Sequence, residues 1–578
     1  MISKKISRFF WLGIILLVIF SLAFHSSQRE WNQDLGRHLK VGEIILKEKS
    51  IPKTNLFSYV QEDFPFQNHH WLSEVIFVVV YNTFGNNGLI LLKTVIFLLI
   101  WGSLFWFVSR KIPAFWAVFL AIFPILVFRE RTDIRPEIFG LLFFTLFLII
   151  LAKARDGKRK WLWCLFFLQL LWVNLHISFV FGLFLVSLNL IENLYQDLFI
   201  KKRFDKETFW PLVAAIVINI LNPFFLEGFL APFLIWKNYN YQIVENQSVF
   251  FLSKLGYKTS IVFFKIGLVL GLTFFSVARK RFFGFLGWIV LSLISAVQIR
   301  HFPFWALYSF WFWGDNLDYF LKKISGKARF YLKWGIATVS LLIMVLISFV
   351  YLSNFYYRLF DLNRSFGFGG DQPAKTAVQF LIKNFPQGNI FNNFDIGSYL
   401  DYFYPQVRVF ADSRPEAFDK TFWQNYQEIQ TDENLWQETV DYYQIEAAFI
   451  SHTDQTDWTQ QLLISLYQNS NWRLVYLDQD IVIFTTKEKN PPALILNEDF
   501  VGNFAGNSFD LVSLGYFFNL IGEVDLAQLS LEKSLKINPY SYRSNLGLAR
   551  IYSQNDNPAF LFKARKMTNK VNNWWYKL

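Results

Sequence analysis

The first 350 or so residues alternate between apolar runs and short clusters of basic residues. An apolar helix of about 20 residues crosses the roughly 30 Å hydrocarbon core of a bilayer, because each residue adds about 1.5 Å. The basic clusters recur at every second connection between runs, as the positive-inside rule expects of cytoplasmic loops. This alternation predicts a polytopic membrane protein. The clusters lie within residues 4–8, 110–111, 153–160, 201–203, 279–281 and 322–333.

Eleven membrane spans are predicted, with the N-terminus in the cytoplasm. The first run follows basic residues and resembles a signal peptide, but further spans follow it, so we interpret it as an uncleaved signal-anchor. An odd number of spans places the residues after Tyr351 outside the cytoplasm. We therefore expect a multi-pass protein of the cytoplasmic membrane. The spans lie at about 9–24, 87–108, 114–128, 138–152, 161–174, 178–195, 209–221, 260–277, 285–298, 302–315 and 334–352.

Two of the predicted outer loops are long, residues 25–86 and 222–258. The first contains an amphipathic run over residues 71–81. Such a run buries its apolar face in the headgroup region, so we expect it to lie along the membrane interface.

The pattern changes after the last predicted span. A transmembrane domain at 1–352 is followed by a linker at 353–370 and by an extracytoplasmic α/β domain at 371–490. Helical periodicity predicts a helix over 374–384, and runs rich in β-branched and aromatic residues predict strands. These strands lie at 388–392, 406–411 and 447–450, with further strands within 473–486.

A short helical repeat is predicted at the end of the chain, within residues 500–578. Leu548, Ala549 and Tyr552 begin the same register a second time. One and a half repeats are too few for an independent solenoid, so they must pack on the preceding domain or on a protein partner. Seven positions in residues 508–541 fit the tetratricopeptide repeat: Leu514, Gly515, Phe518, Gly522, Ala527, Leu531 and Pro539.

The composition gives no indication of nucleic-acid binding or of cysteine-based sites. The formal net charge is +12, but the basic residues are spread over cytoplasmic loops, which gives no basic face for nucleic acid. The single cysteine, Cys164, lies in an apolar span, so neither a disulfide framework nor a cysteine metal site is expected.

Ionisable residues at the outer membrane face are the best functional candidates, because a charge near hydrocarbon is costly unless it is paired. Asp34 follows the first span, and a carboxylate there can take a proton from an attacking hydroxyl. A helix cap is the alternative. His69, His70 and Glu74 are metal-ligand types. Adjacent helical residues point about 100° apart, however, so interfacial packing is the stronger interpretation.

A second group of candidates belongs to later outer turns. Residues 129–137 contain three arginines in an outer hairpin, against the positive-inside trend. Guanidinium groups suit phosphate, so Arg131 and Arg135 are candidates for a lipid-phosphate clamp. The alternative is internal pairing with Glu130, Asp133 and Glu137. Four further residues at outer turns can orient a sugar or phosphate, or can cap helix ends: Asn174, His176, Arg300 and His301.

Polar residues also follow two predicted strands of the α/β domain, at 393–400 and 410–415. Ligands often bind at strand ends of open α/β sheets. Turn formation and an ion pair between Asp412 and Arg414 explain the same residues, and this interpretation is favoured because no phosphate loop or catalytic triad accompanies them.

These motifs resemble those of bacterial polytopic glycosyltransferases of the GT-C superfamily, which includes dolichyl-phosphate-mannose-type mannosyltransferases and lipopolysaccharide galacturonic-acid transferases. The resemblance covers about residues 1–350, and the outer domain with a trailing tetratricopeptide repeat is also similar to a known arrangement. The residues that carry it are Asp34, Gly36, His38, Gly42, Pro52, Ser58, Trp71, Leu72, Glu74, Arg135, Pro136, Glu137, Asn174, His176, Asn222, Pro223, Arg300 and His301.

The resemblance implies a sugar donor carried on a polyprenyl phosphate and an acceptor hydroxyl on a glycan, lipid or protein. Asp34 matches the catalytic base. The family motif often has a second acidic residue two positions earlier, where this chain has Asn32. That departure weakens the case for a divalent metal ion and leaves open whether the site is degenerate. Substrate binding is expected of His38, His70, Glu74, Arg131, Arg135, Asn174, His176, Arg300 and His301.

Two other functions remain open at this stage. The chain can be a non-enzymatic membrane scaffold or envelope-assembly protein that recruits partners through its outer domain and repeat. A transporter is the weaker alternative, because it favours two matching halves with broken helices and no internal duplication is visible.

Overall fold

A helix occupies the described part of each of the eleven positions predicted to span the membrane. The structure is a computed structural model, and it describes residues 2–27, 30–238, 243–255, 259–273, 282–321, 326–369, 375–487, 491–554 and 558–572. The chain divides into two units. The first unit comprises Met1–His25, Asn68–Lys237 and Gln242–Leu352, and the second comprises Ser26–Gln67, Asn238–Tyr241 and Ser353–Leu578.

The first unit is built of apolar helices joined by short turns. Among the described residues, five helices are long and apolar enough to cross a membrane, and a sixth crossing results if one sharply bent pair is a single span. The chain is therefore a polytopic membrane protein, while the total of eleven spans stays a prediction. The helices are Ile2–Ala23, Trp71–Val108, Ala114–Phe128, Glu137–Arg155, Trp163–Leu175, Phe179–Tyr195, Lys206–Val217, Phe225–Asn238, Val249–Lys254, Thr259–Thr273, Phe282–Val297, Phe302–Leu321 and Gly326–Leu352.

The first helix packs into this unit through one face. Ile15, Val18, Ile19 and Leu22 are buried, at the three- and four-residue spacing that lines one side of a helix. At its start, the Arg8 guanidinium donates a hydrogen bond to the carbonyl of Ser109. The helix is therefore held along its length by the bundle.

The predicted interfacial run and the following span form one helix, Trp71–Val108, with a break. Gly85 has a φ of +64°, which is outside the helical region and which glycine adopts without steric cost. The break separates residues 71–84 from the apolar segment that follows it. The location of the first part at the interface stays a prediction.

A bent helix pair precedes the loop that leads to residue 249. The segments Lys206–Ile220 and Phe225–Leu234 meet at 95°. The side chain of Asn222 stabilises this bend, because it accepts from the Phe224 amide at 2.9 Å and donates to the Phe225 carbonyl at 2.8 Å. The Asn-Pro motif thus has a structural function here.

The second unit contains a four-stranded sheet. The strand order is Asn389–Asn392, Ile445–Ser451, Ile481–Thr486, Trp472–Leu477, with the first pair parallel and the other two antiparallel. Three of the predicted strand regions are confirmed. Two further short strands, His25–Ser27 and Arg364–Phe366, pair with each other. The helices of the second unit are Gly36–Glu48, Phe355–Leu359, Lys375–Asn384, Phe394–Phe403, Lys420–Ile429, Glu433–Tyr443, Asp457–Gln468, Glu498–Asn503, Ser508–Leu520, Val524–Ile537, Tyr542–Ser553 and Pro558–Asn572.

The predicted strand at 406–411 is wrong. Val409 makes an isolated bridge to Ser58 and is not part of the sheet. Its amide donates to the carbonyl of Phe57 at 2.9 Å, and its carbonyl accepts from the amide of Tyr59 at 3.2 Å. The backbone groups are thus paired with a segment more than 300 residues earlier, which local sequence cannot reveal.

The first of the last four helices, with the turn that follows it, packs on the α/β part of the same unit. The His452 ring lies 4.9 Å from that of Phe517, and the Tyr467 hydroxyl donates to Glu523 at 2.5 Å. Gly515 lies against Leu531, so closely that a Cβ there would be 2.7 Å from Leu531 Cγ. The expectation that this segment needs a packing surface is confirmed, and its assignment as a tetratricopeptide repeat stays a prediction.

Candidate functional site

The predicted site residues are distributed over both units. Asp34 and His38 belong to the second unit, and the others belong to the first. The first unit contains an arginine cluster formed by Arg131, Arg135 and Arg300, and the second contains a cluster around Asp34.

The arginine cluster is organised by one carboxylate that was not predicted. Glu245 Oε1 lies 2.6 Å from a terminal nitrogen of Arg135, and Glu245 Oε2 lies 2.6 Å from a terminal nitrogen of Arg131. Arg131 also pairs with Glu137 at 2.6 Å. Each of these side chains is at most 17% exposed, so solvent screens the pairs weakly.

Arg300 joins the same cluster through the neighbouring turn. Its guanidinium donates to Asn246 Oδ1 at 3.0 Å, and the Ile299 amide donates to the Gln247 carbonyl at 3.2 Å. The turns Val244–Asn246 and Ile299–His301 are therefore tied together. Two guanidinium groups from residues 131–135 and a third from residue 300 thus surround one short acidic turn.

The electrostatics of the cluster keep its carboxylate charged and its histidines neutral. Burial alone would raise the pKa of Glu245, but Arg131 and Arg135 hold that pKa well below its usual range. Burial, and then the positive charges of Arg300 and Arg131, lower the pKa of His176 and of His301 well below the ordinary histidine value. Three guanidinium groups against Glu137 and Glu245 leave the cluster with net positive charge, which suits an anion.

The alternative interpretation, in which the arginines of residues 129–137 pair with acidic residues of the same segment, is partly correct. Glu137 pairs with Arg131, and Glu245, more than 100 residues further along the chain, pairs with both Arg131 and Arg135. Glu245 is one of two carboxylates in residues 222–258. An acidic residue in a loop otherwise rich in aromatic and apolar residues is the signal that could have identified it.

His70, Glu74 and Asn174 lie around the start of the helix Trp71–Val108. Glu74 accepts from the amide group of Asn68 at 2.6 Å, and the indole of Trp71 donates to Asn174 at 3.0 Å. The His70 ring lies 5.1 Å from that of His176. These contacts hold the start of the helix against the turn that follows residue 174. That turn carries His176, which lies beside the arginine cluster.

The Asp34 cluster is formed by the π-helical turn Trp31–Leu35 and by residues far along the chain. The Asp34 carboxylate accepts from the hydroxyl of Ser413 at 2.7 Å and from the guanidinium of Arg37 at 3.2 Å. Arg37 Nε in turn donates to Ser413 Oγ at 3.1 Å. These hydrogen bonds hold the Asp34 carboxylate in place. The side chain is 24% exposed, so a substrate can still reach the carboxylate.

Close backbone approach explains the glycine of the acidic motif. A Cβ on Gly36 would overlap the carbonyl of Ser398. Ser398 Oγ lies 2.6 Å from Ser413 Oγ, so the same approach brings the hydroxyl pair to the turn. Gly36 is therefore required for the position of Asp34 relative to its partners.

Two acidic residues of the second unit near the Asp34 cluster, Asp401 and Asp412, are buried. Asp412 pairs with Arg414 at 2.5 Å, and both are almost fully buried, which confirms the predicted ion pair. Asp401 is 4% exposed, and neither carboxylate oxygen has a hydrogen-bond partner among the described residues. Burial and the charge of Asp412 raise the pKa of Asp401 well above its ordinary value, which favours the protonated form.

A divalent metal ion does not fit the described residues. Within the described ranges, no group of three or more histidine, cysteine, aspartate or glutamate side chains is arranged to hold one. The Asp34 carboxylate has a guanidinium beside it, which competes with a cation. His69 lies against Phe224 and His70 against His176, so the two imidazoles have different neighbours.

Comparison with known proteins identifies the fold. No protein-family model matches the sequence, and no curated protein is significantly similar to it. The archaeal oligosaccharyltransferase AglB from Archaeoglobus fulgidus, solved with an inhibitory peptide and a dolichol-phosphate, matches with a TM-score of 0.51 and 11% identity over 80% of this chain and 71% of its own. ArnT from Cupriavidus metallidurans, bound to undecaprenyl phosphate, gives a TM-score of 0.49 and 13% identity over 84% of this chain and 99% of its own.

The likeness to AglB shows the fold alone, because the identity is low. The chain thus has a fold similar to that of AglB. Its reaction has to be argued from its own residues.

Proposed function

We propose that the protein transfers a sugar from a polyprenyl-phosphate-linked donor to an acceptor on the outer side of the cytoplasmic membrane. The observation that carries the proposal is the arginine cluster, in which Arg131, Arg135 and Arg300 gather in an apolar helical unit. Guanidinium groups bind phosphate oxygens through charge-assisted, often bidentate, hydrogen bonds. The fold shared with AglB, a protein solved with a dolichol-phosphate, supports a lipid-linked phosphate as the anion.

The proposed chemistry is a displacement at the anomeric carbon of the sugar. Asp34 takes the proton of the acceptor hydroxyl, whose oxygen bonds to the anomeric carbon while the bond from that carbon to the phosphate oxygen breaks. The polyprenyl phosphate leaves with an additional negative charge. The guanidinium groups stabilise this charge as it develops, and stabilisation of this kind is usually the largest single contribution to enzymatic catalysis. One base and one leaving group favour inversion.

The remaining predicted residues have supporting roles in this proposal. His176 and His301 are neutral hydrogen-bonding groups beside the arginines and are suited to sugar hydroxyls or phosphate oxygens. His70, Glu74 and Asn174 maintain the turn that carries His176. His38 is buried on the helix that follows Asp34, where we expect it to support the motif.

The proposal is tested with the purified full-length protein in lipid nanodiscs and radiolabelled undecaprenyl-phosphate sugars. We expect acceptor-dependent consumption of at least one donor, or slow donor hydrolysis when no acceptor is present. If no donor is consumed while the protein still recruits envelope proteins from a membrane extract, the scaffold alternative is correct.

A further inference from the structure

Glu245 occupies the space between two arginines that the proposed function assigns to phosphate. Its two carboxylate oxygens are each 2.6 Å from a different guanidinium group, those of Arg131 and Arg135. The side chain is 17% exposed, and those of the arginines are 11% and 17% exposed. Glu245 is thus a bridging anion in a site that is largely closed to solvent.

Carboxylate and phosphate are interchangeable ligands for guanidinium groups. Both present two oxygens on one central atom, and both accept charge-assisted hydrogen bonds from arginine. We propose that Glu245 holds the place of the donor's phosphate between Arg131 and Arg135, and that the phosphate binds by displacing it. This inference rests on the proposed function, and it adds a residue that regulates occupancy of the phosphate position.

The surroundings of Glu245 permit such an exchange. Asn246 and Gln247 attach the turn to the segment Ile299–His301 by the hydrogen bonds described above. The backbone therefore stays attached when the glutamate side chain rotates away. Arg131 Nε is buried and has no hydrogen-bond partner among the described residues, so its N–H can donate to one more oxygen.

Charge determines the direction of the exchange. A sugar-linked polyprenyl phosphate is a phosphodiester with one negative charge, so it replaces Glu245 without a net change in charge. The polyprenyl phosphate product is a monoester with roughly 1.5 to 2 negative charges at pH 7. The product therefore binds the arginines more tightly, and the returning Glu245 carboxylate favours its release.

The test measures binding of radiolabelled undecaprenyl phosphate to the full-length protein by scintillation proximity. Glu245→Gln keeps the shape of the side chain and removes its charge, and we expect about tenfold tighter binding. Glu245→Asp keeps the charge but is one methylene too short to bridge both arginines, so it is also expected to bind more tightly. Glu130→Gln removes a neighbouring charge that pairs with Arg129 at 3.8 Å, and it is the matched control, with an affinity within about twofold of wild type.

Three results would overturn the displacement. They are unchanged or weaker binding by Glu245→Gln, a loss of affinity in Glu245→Asp, and an equal gain in Glu130→Gln. If transfer activity persists in that case, the proposed function stands and only the displacement fails.

Inorganic phosphate is titrated in parallel. If Glu245→Gln gains affinity for inorganic phosphate and no variant binds undecaprenyl phosphate, the displacement stands and the lipid donor is wrong.

Discussion

The hydroxyl of Ser413 donates a 2.7 Å hydrogen bond to the carboxylate of Asp34, although 379 positions separate the two residues. The same hydroxyl oxygen accepts from Arg37 Nε at 3.1 Å. A hydroxyl that donates to one partner and accepts from another restrains both. Ser413 is therefore a positioning residue for Asp34 in the proposed reaction.

Replacement of Ser413 by alanine should lower the rate constant for transfer by about tenfold, in the range expected for a lost hydrogen bond to a charged group. The KM for the donor should change little, because Ser413 is proposed to position the base rather than to bind the lipid. Ser413→Thr keeps the hydroxyl and should recover most of the rate. If alanine and threonine variants are equally impaired, Ser413 has only a packing role.

Replacement of Asp34 by asparagine should lower the transfer rate by at least about 100-fold, because a general base contributes roughly 100- to 10,000-fold. Folding and undecaprenyl-phosphate binding should be retained, since asparagine has almost the same shape. Asp63→Asn is the matched control, because Asp63 is exposed and has a φ of +57° that asparagine tolerates. If the Asp34→Asn protein is active, Asp34 is not the catalytic base.

Removal of Arg300 should weaken undecaprenyl-phosphate binding by about tenfold, which corresponds to 1.4 kcal/mol. Arg300 donates to a neutral amide, so its loss leaves no carboxylate unpaired in that contact. The comparison is Arg155→Ala, which breaks a pair with Glu192 at 2.7 Å at the opposite end of the helix Glu137–Arg155. Equal losses in both variants would mean that the effect is general and that Arg300 does not contact the phosphate.

The α/β domain should lose stability as the pH rises, because of Asp480. Burial, together with Asp478 and Asp510, raises the pKa of Asp480 from 3.8 to about 8. Between about pH 4 and pH 8 the folded state therefore binds a proton that the unfolded state does not, and stability falls as pH increases through this window. Hydrogen exchange of the strand Ile481–Thr486, corrected for the intrinsic rate at each pH, measures the effect.

Asp480→Asn should reduce this pH dependence, because asparagine does not titrate. The exposed Asp499 provides the control, and Asp499→Asn should keep the wild-type slope. An unchanged slope in Asp480→Asn would assign the titration to another group.

Gly515→Ala should destabilise the last helices by about 1–3 kcal/mol, the usual cost of overpacking. The added Cβ would lie 2.7 Å from Leu531 Cγ, so the two helices must move apart. Gly502 is also helical but has no atom within 4 Å of its Cβ position, so Gly502→Ala should be neutral or slightly stabilising. Susceptibility of the C-terminal helices to protease measures both, and equal behaviour of the two variants would contradict the close packing of Gly515.

The helices were predictable because the requirement behind them is local. In a bilayer every backbone polar group must be satisfied within its own segment, so an apolar run of sufficient length implies a helix. The strand at 445–451 was predictable for a related reason, since its run of buried, mostly apolar residues lies within the strand itself. The segment at 406–411 failed because its backbone partners lie at residues 57–59, and nothing in the local pattern indicates them.

The candidate site shows the same division. The residue types at Asp34, Arg131, Arg135 and Arg300 were evident from the sequence, because charges beside apolar runs are rare and costly. Their partners Ser413 and Glu245 were not, since each lies more than 100 positions from the residue it contacts. Packing of the whole fold brings such residues together against the entropic cost of closing a long loop.

The sequence by itself determined that this chain is a membrane protein with a distinct second part and charged residues at turns between apolar runs, because hydrophobicity and charge act over a few residues. Only the tertiary structure decided that Glu245 bridges the arginines and that Ser413 holds Asp34. Those contacts depend on the packing of distant segments, whose geometry no short pattern contains.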